Sequence, residues 1–268
     1  MAQRFKLKLN LARSCLQYII KTYGIKQIFL PYYICPTLIK AARKENCFVK
    51  FYHIDENFYP AETFDENSYI LYPNYFGICG MNVIKLARKY KNLIVDNAHN
   101  FYMEDCGLAS FNSLRKFFNV TDGAELFISK KADAELEKDF YKYENFDGKS
   151  YEKIVENEKR LEEEGIKILS DSTEKIFSSI NLENEKRNRL EKFQILQEKF
   201  QNINELEIKL SGYDVPFVYP LLVSDEATGK KFEDAGHLIF RYWEKLPETF
   251  LEYRFYKFLI PLRLDEDY

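Results

Sequence analysis

The chain has 268 residues, 46% of them hydrophobic and 30% charged, with a formal net charge of −3. That composition supports a packed core, excludes general disorder and argues against nucleic acid as the main partner. No apolar run approaches a membrane span, the basic start Met1–Asn10 lacks the apolar stretch of a signal peptide, and the five cysteines are scattered without a Cys-x-x-Cys pair, so the expectation is a cytoplasmic protein with reduced thiols and no membrane partner.

Taken in chain order, hydrophobic periodicity predicts a helix over Leu16–Tyr23, a strand over Gln27–Pro31, a helix over Thr37–Lys44 and a strand over Cys47–His53. A further strand is expected at Tyr69–Tyr72, followed by a loop at Pro73–Gly80 and a helix over Met81–Tyr90. Strands follow at Asn92–Asp96, Ala109–Asn112 and Glu125–Ser129. Repeated strand–helix–strand units imply an α/β fold with a mostly parallel sheet and flanking helices, and ligands in such sheets sit beyond the carboxyl ends of the strands.

After about Lys130 the texture changes. Residues 132–167 are highly charged and predict helix, interrupted at Asp147-Gly148. Leu190, Phe193, Leu196, Phe200 and Ile203 recur at helical spacing, a packing face for the sheet or for a second subunit. A strand at Phe217–Val223, a helix beginning at Lys231–Ala235 and a strand-like stretch at Phe255–Leu264 complete a smaller α/β unit. The expected organisation is a large domain over residues 1–130, then a helical connection and small C-terminal domain over residues 131–268.

The chemistry concentrates in the first part. The apolar run Leu93-Ile94-Val95 ends in Asp96, His99 lies three residues on, and Lys116 follows in a Ser113-Leu114-Arg115-Lys116 setting that runs into Asp122-Gly123. Pyridoxal phosphate (PLP) needs this set: a carboxylate for its pyridine nitrogen, a donor for its phenolic oxygen, small donors for its phosphate and a lysine for its aldehyde. Each piece alone has a blander explanation: a turn-capping aspartate, a common Ser-x-x-Lys, a solvated basic patch at Arg115-Lys116. Order and spacing together favour the chemistry. Rival signals fail. Gly229-Lys230-Lys231 has Ser224 where a phosphate loop needs its first glycine, no Gly-x-Gly-x-x-Gly follows a strand, and His53, His99 and His237 lack metal-ligand spacing.

These residues resemble a family. Ala12-Arg13-Ser14-Cys15-Leu16 is similar to the Gly-Arg-Ser-Ala-Leu opening of fold type I PLP-dependent aminotransferases, and the likeness is to sugar aminotransferases of the DegT/DnrJ/StrS type. Leu30–Thr37, Phe51–Asp55, Tyr75-Phe76-Gly77, Asp96–His99 and Ser113–Gly123 follow in that family's order, and Trp243–Pro247 and Ile260–Asp265 resemble its small domain. The resemblance implies that Lys116 carries the cofactor and then moves the proton between substrate and cofactor carbons. It implies that Asp96 keeps the pyridine nitrogen protonated and that His99 donates to the phenolic oxygen. Ser14, the Cys15 amide and Ser113 would hold the phosphate. It further implies a keto-sugar acceptor, nucleotide-linked in the family's manner, an amino-acid donor such as glutamate, and a homodimer.

The sequence departs from the family in places. Cys35 stands where an aromatic ring usually faces the cofactor, leaving Tyr33 or another nearby ring for that face. Gly123-Ala124 replaces a Gly-Gly pair, and the segment that reaches the partner subunit's cofactor is not recognisable after Lys130. Two alternatives therefore stay open: a PLP enzyme acting on a non-sugar substrate, and a non-catalytic paralogue that serves as a partner subunit.

Overall fold

The computed structural model describes residues 4–132, 135–138, 146, 150–162, 164–237, 239–243 and 246–268. The expected interruption at Asp147-Gly148 lies outside the described residues, as do Glu244 and Lys245 of the Trp243–Pro247 motif.

Seven strands form one sheet in the order β1-β7-β6-β5-β4-β2-β3. They are β1 (Phe5–Leu9), β2 (Gln27–Pro31), β3 (Phe48–Tyr52), β4 (Ile70–Pro73), β5 (Leu93–Asp96), β6 (Ala109–Phe111) and β7 (Ala124–Ile128). β3, β2, β4, β5 and β6 are mutually parallel, whereas β7 runs antiparallel to both β6 and β1. This is the expected α/β fold with a mostly parallel sheet. The antiparallel edge is what the linear pattern does not show: β1 lies in the basic start of the chain, and its partner β7 is over a hundred residues away.

The central strands β4 and β5 are buried at every residue because helices cover both faces. Leu71 and Ile94 enter the core beneath α1 (Ala12–Tyr23) and α2 (Pro36–Lys44), while Ile70, Tyr72, Leu93 and Val95 point to the opposite core with α3 (Gly80–Lys89). Alternate residues thus serve opposite faces, as the two-residue strand period requires. α2 starts one residue earlier than expected, with Pro36 in its first turn, where a missing N–H costs nothing. α1 ends at Gly24, whose φ of +63° closes the helix through amide bonds to Ile20 and Lys21 carbonyls.

Beyond residue 130 the differences grow. Of the helix expected over residues 132–167, the described residues contain α4 (Tyr151–Leu161). Ile168 instead bridges to Leu9 and Lys138, laying extended chain along the β1 edge. Such cover blunts an otherwise open strand edge. Next comes α5 (Asp171–Ser178), which the sequence pattern did not reveal, capped by Ser170. Both Ser170 groups and Thr173 donate to the buried Asp122, so this part of the Asp122-Gly123 motif is a structural anchor.

Leu190, Phe193, Leu196 and Phe200 of the apolar stripe fall on α6 (Leu182–Phe200), the last three packing on a second, two-stranded sheet rather than on the large one, whereas Ile203 lies beyond the helix and is exposed. That sheet pairs β8 (Val218–Leu222) antiparallel with β9 (Leu259–Arg263). α7 (Glu226–Asp234) starts at the Asp225 cap, five residues before the expected point, so Gly229-Lys230-Lys231 is ordinary helix. The strand-like stretch from Phe255 is divided: Tyr253–Phe258 forms α8 and only Leu259–Arg263 is strand. Aromatic residues favour strands by propensity, but burial of Phe255 in the core decides the matter here.

Candidate active site

Asp96 is the last residue of β5, at the carboxyl edge of the central sheet. Its Oδ1 accepts the Ala98 N–H at 2.8 Å, closing the turn that projects His99. Burial pushes the Asp96 carboxyl up to about 6, opposed by the Ala98 amide and by the charge of Lys116. It is therefore predominantly ionised at neutral pH, though far less completely than an exposed aspartate.

His99 is buried, and burial followed by the Lys116 charge drives its pKa well down, so the ring is neutral. The Phe76 amide donates to His99 Nδ1 at 3.2 Å. An accepting Nδ1 fixes the proton on Nε2, which leaves the ring a hydrogen-bond donor on its other side. The amide reaches that position because Phe76 sits at φ +54°, ψ +2°, within the tight turn Tyr75–Gly77. Left-handed backbone at a bulky residue costs on the order of 1–3 kcal/mol, and surrounding packing must hold it. Phe76 is fully buried between the two sheets, and its carbonyl accepts the Phe217 N–H at 2.8 Å.

Lys116 closes the helical turn Leu114–Lys116 between β6 and β7. Its pKa is lowered first by burial; Cys35 and Asp96 oppose the shift and Arg115 adds to it. The amine lies 5.0 Å from the Phe217 ring centre and 5.5 Å from that of Tyr242. Trp243 and Phe217 stack on His99, with centroids 5.7 and 5.1 Å away. An acid, a neutral imidazole donor and a desolvated amine thus lie within electrostatic reach of one another, beside aromatic rings.

Gly123 ties the start of α1 to the turn that carries Lys116. The Gly123 amide donates to the Asn10 carbonyl at 2.5 Å, and its own carbonyl accepts the Leu114 N–H at 3.0 Å. Gly123 has φ +109°, and a side chain there would press on Thr173 and Leu114. Ser14, in the first turn of α1, is fully buried and its hydroxyl has no partner. Cys15 is buried too, and the Asp96 charge adds to the burial that raises its thiol pKa. The Cys15 amide already donates to the Leu11 carbonyl at 3.1 Å, which corrects its expected availability: the open donors of the first turn belong to the residues before it. Ser113 is buried at the start of the Lys116 turn, where its hydroxyl makes no capping bond.

The structure therefore brings Ser14, Asp96, His99, Ser113 and Lys116 around the carboxyl edge of the sheet. Cys35 lies within electrostatic reach of both Lys116 and Tyr242. Tyr33 does not reach it. It is buried behind the wall, donating to the Tyr242 carbonyl at 2.5 Å and packing edge-on against Trp243. Sequence reasoning did not find Phe217 and Tyr242, which lie a hundred or more residues from Lys116 and carry no local signal.

An unpaired buried hydroxyl beside open helix amides suits the phosphate of PLP, an ionised carboxylate at a strand end suits a pyridinium, and a partly desolvated lysine suits an aldehyde. The residues fit the cofactor. Among the described residues no cluster of His, Cys, Asp or Glu could hold a metal ion, and no helix is long and apolar enough to cross a membrane.

No family model matches the chain, and no curated protein matches it in sequence. Solved structures do match in fold. An aminotransferase of the DegT/DnrJ/EryC1/StrS type from Brucella abortus superposes with a TM-score of 0.67 at 12% identity, over 99% of this chain and 82% of that one. PseC of Helicobacter pylori, an aminotransferase involved in the biosynthesis of pseudoaminic acid, gives 0.63 at 15% identity over 98% and 82%. A Streptococcus pneumoniae protein assigned as a sugar aminotransferase, in its PLP form, gives 0.63 at 12% identity over 97% and 81%. The chain has the fold of PLP-dependent aminotransferases.

Proposed function

We propose that this protein is a PLP-dependent aminotransferase that moves an amino group from an amino acid, glutamate in the first instance, to a keto-sugar carried on a nucleotide. The observation that carries the reading is that Asp96 and neutral His99 lie within electrostatic reach of the buried Lys116 amine, while the start of α1, tied to the Lys116 turn through Gly123, holds the unpaired Ser14 hydroxyl. PLP, when bound, supplies an electron sink for the carbanion formed on loss of the substrate proton.

The residues of the chain do the rest. Lys116 would hold the cofactor covalently and, once released, its amine would take up and return the substrate's proton; its lowered pKa gives it a larger neutral fraction than an exposed lysine. Asp96 presents a negative charge to the pyridine nitrogen and keeps it protonated. His99 donates from Nε2 to the phenolic oxygen, its Nδ1 being held by Phe76. Ser14, the first turn of α1 and Ser113 receive the phosphate. Phe217, Tyr242 and Trp243 exclude water around the amine.

The sugar acceptor rests on the aminotransferase neighbours, two of which carry sugar-linked descriptions. A place in surface-polysaccharide or related sugar biosynthesis, a cytoplasmic location and a homodimer belong to the same proposal, as does a division near residue 130 between the two sheets. The test is to purify the protein with PLP, record its visible spectrum, reduce with borohydride and map the modified peptide. Pyridoxyl fixed on Lys116, with amino transfer to keto-sugars in preference to keto-acids, is the expected result. A colourless protein with unmodified Lys116 overturns the reading.

A further inference from the structure

Arg115, next to the catalytic lysine, has no task in the reading above, yet its setting is unusual. One guanidinium nitrogen pairs with Glu158 of α4, while Nε is buried with no acceptor. Burial lowers its pKa to about 10, and neighbouring Arg13 and Arg160 press in the same direction. Asp122 is the carboxylate that opposes them, and its oxygens already accept from Ser170 and Thr173. A charged N–H withdrawn from water and left unpaired weakens the fold unless something accepts from it.

A second orphan stands beside it. Ser14 follows Arg13 in the first turn of α1, is fully buried and has an unpaired hydroxyl. Gly123 bonds to both segments, to Asn10 before α1 and to Leu114 before Arg115, so the two orphaned donors lie on chains held together by one residue. A charged fork, a hydroxyl and open helix amides are together the complement of a tetrahedral oxyanion with several acceptor atoms.

We propose that Arg115 Nε, with Ser14 Oγ and the first-turn amides of α1, forms the seat of the cofactor's phosphate, so that the residue preceding the catalytic lysine anchors the group the lysine holds. The proposal rests on the cofactor reading and adds a charged ligand to it. Arg115 then ties cofactor position to α4 through Glu158, linking the first sheet's pocket to the region after residue 130.

The experiment compares the full-length protein with Arg115→Gln and Arg115→Lys, titrating each with PLP and with pyridoxal, which lacks the phosphate. The visible band reports lysine adduct formation, and inorganic phosphate is the probe in a thermal-shift assay. Loss of one charge-assisted hydrogen bond predicts PLP binding weakened by about ten- to a hundredfold in Arg115→Gln, less in Arg115→Lys, with pyridoxal binding unchanged. Phosphate is expected to raise the melting temperature of the unmodified protein and not of Arg115→Gln. Equal weakening of PLP and pyridoxal would assign Arg115 to the fold or to Lys116 and overturn the proposal, as would no weakening of either. If PLP forms no adduct with the unmodified protein, yet phosphate stabilises it and not Arg115→Gln, the anion seat stands and the cofactor reading falls. Phosphate stabilising neither protein, in that case, removes both.

Discussion

Residues 5–128 supply Asp96, His99 and Lys116, each at a strand end or in the turn that follows, while Phe217, Tyr242 and Trp243 from the later part of the chain enclose them. The first region carries charge and proton chemistry on backbone held by the sheet. The second contributes apolar rings whose effect is to desolvate, and desolvation leads the shifts of Asp96, His99 and Lys116 alike. One region chooses the groups and the other tunes them. The site therefore depends on the seam where they meet, at Tyr75–Gly80 and Tyr213–Phe217.

The largest effect is expected at Lys116. Lys116→Ala is expected to abolish the borohydride-trapped adduct and to lower amino transfer by roughly 10³-fold, measured against keto-sugar acceptors, because the amine proposed to carry the proton is removed. Retention of either signal would mean that the chemistry lies elsewhere.

The seam is the next target. A Cβ on Gly77 would lie 2.2 Å from the His99 carbonyl and 2.7 Å from that of Val215, at a φ of +78°. Backbone on both sides cannot yield cheaply, so Gly77→Ala is expected to cost about 3 kcal/mol in urea unfolding and to disturb His99. A loss well under 1 kcal/mol would indicate that the regions are loosely joined.

Asp96 sharpens the account of tuning. Its folded pKa, about 6 against an ordinary 3.8, means that the folded state holds a proton the unfolded state has lost between those values. Stability of the cofactor-free protein should therefore fall as pH rises through that window and stay low above it. Asp96→Asn removes the buried charge and is expected to stabilise the cofactor-free protein at pH 7 by roughly 2–3 kcal/mol, while weakening PLP binding. Denaturation at pH 4 and pH 7 checks the sign: the gain should be confined to the higher pH.

A smaller effect is expected at Glu252, a fully buried carboxylate in the C-terminal region. It accepts the Ile54 amide at 2.8 Å and faces His53 Nδ1 at 3.1 Å, pinning the later segment to the first sheet. Glu252→Ala leaves the amide unpaired and should cost about 1–3 kcal/mol. If the regions separate in function, the adduct spectrum at Lys116 should survive this loss.

Much of the first region was legible because its information is local. An apolar run ending in Asp96, a helix opening at Ala12-Arg13-Ser14 and a lysine turn ahead of Gly123 are patterns of near neighbours, and the sheet they imply is the one observed. The antiparallel edge was not legible, since β1 is a short amphipathic stretch until β7 pairs with it. Helix α5 escaped because its cap is completed by Asp122, nearly fifty residues earlier.

Periodicities and spacings that operate over a few residues were enough for the type of fold and for the residues of the candidate site. Which carboxylate burial pushes upward, which imidazole nitrogen donates, that the Cys15 amide is already spent and that Arg115 holds an unpaired N–H were decided only by tertiary structure. Desolvation and hydrogen-bond pairing are properties of what surrounds a group in space, and around Lys116 those surroundings come from rings more than a hundred residues along the chain.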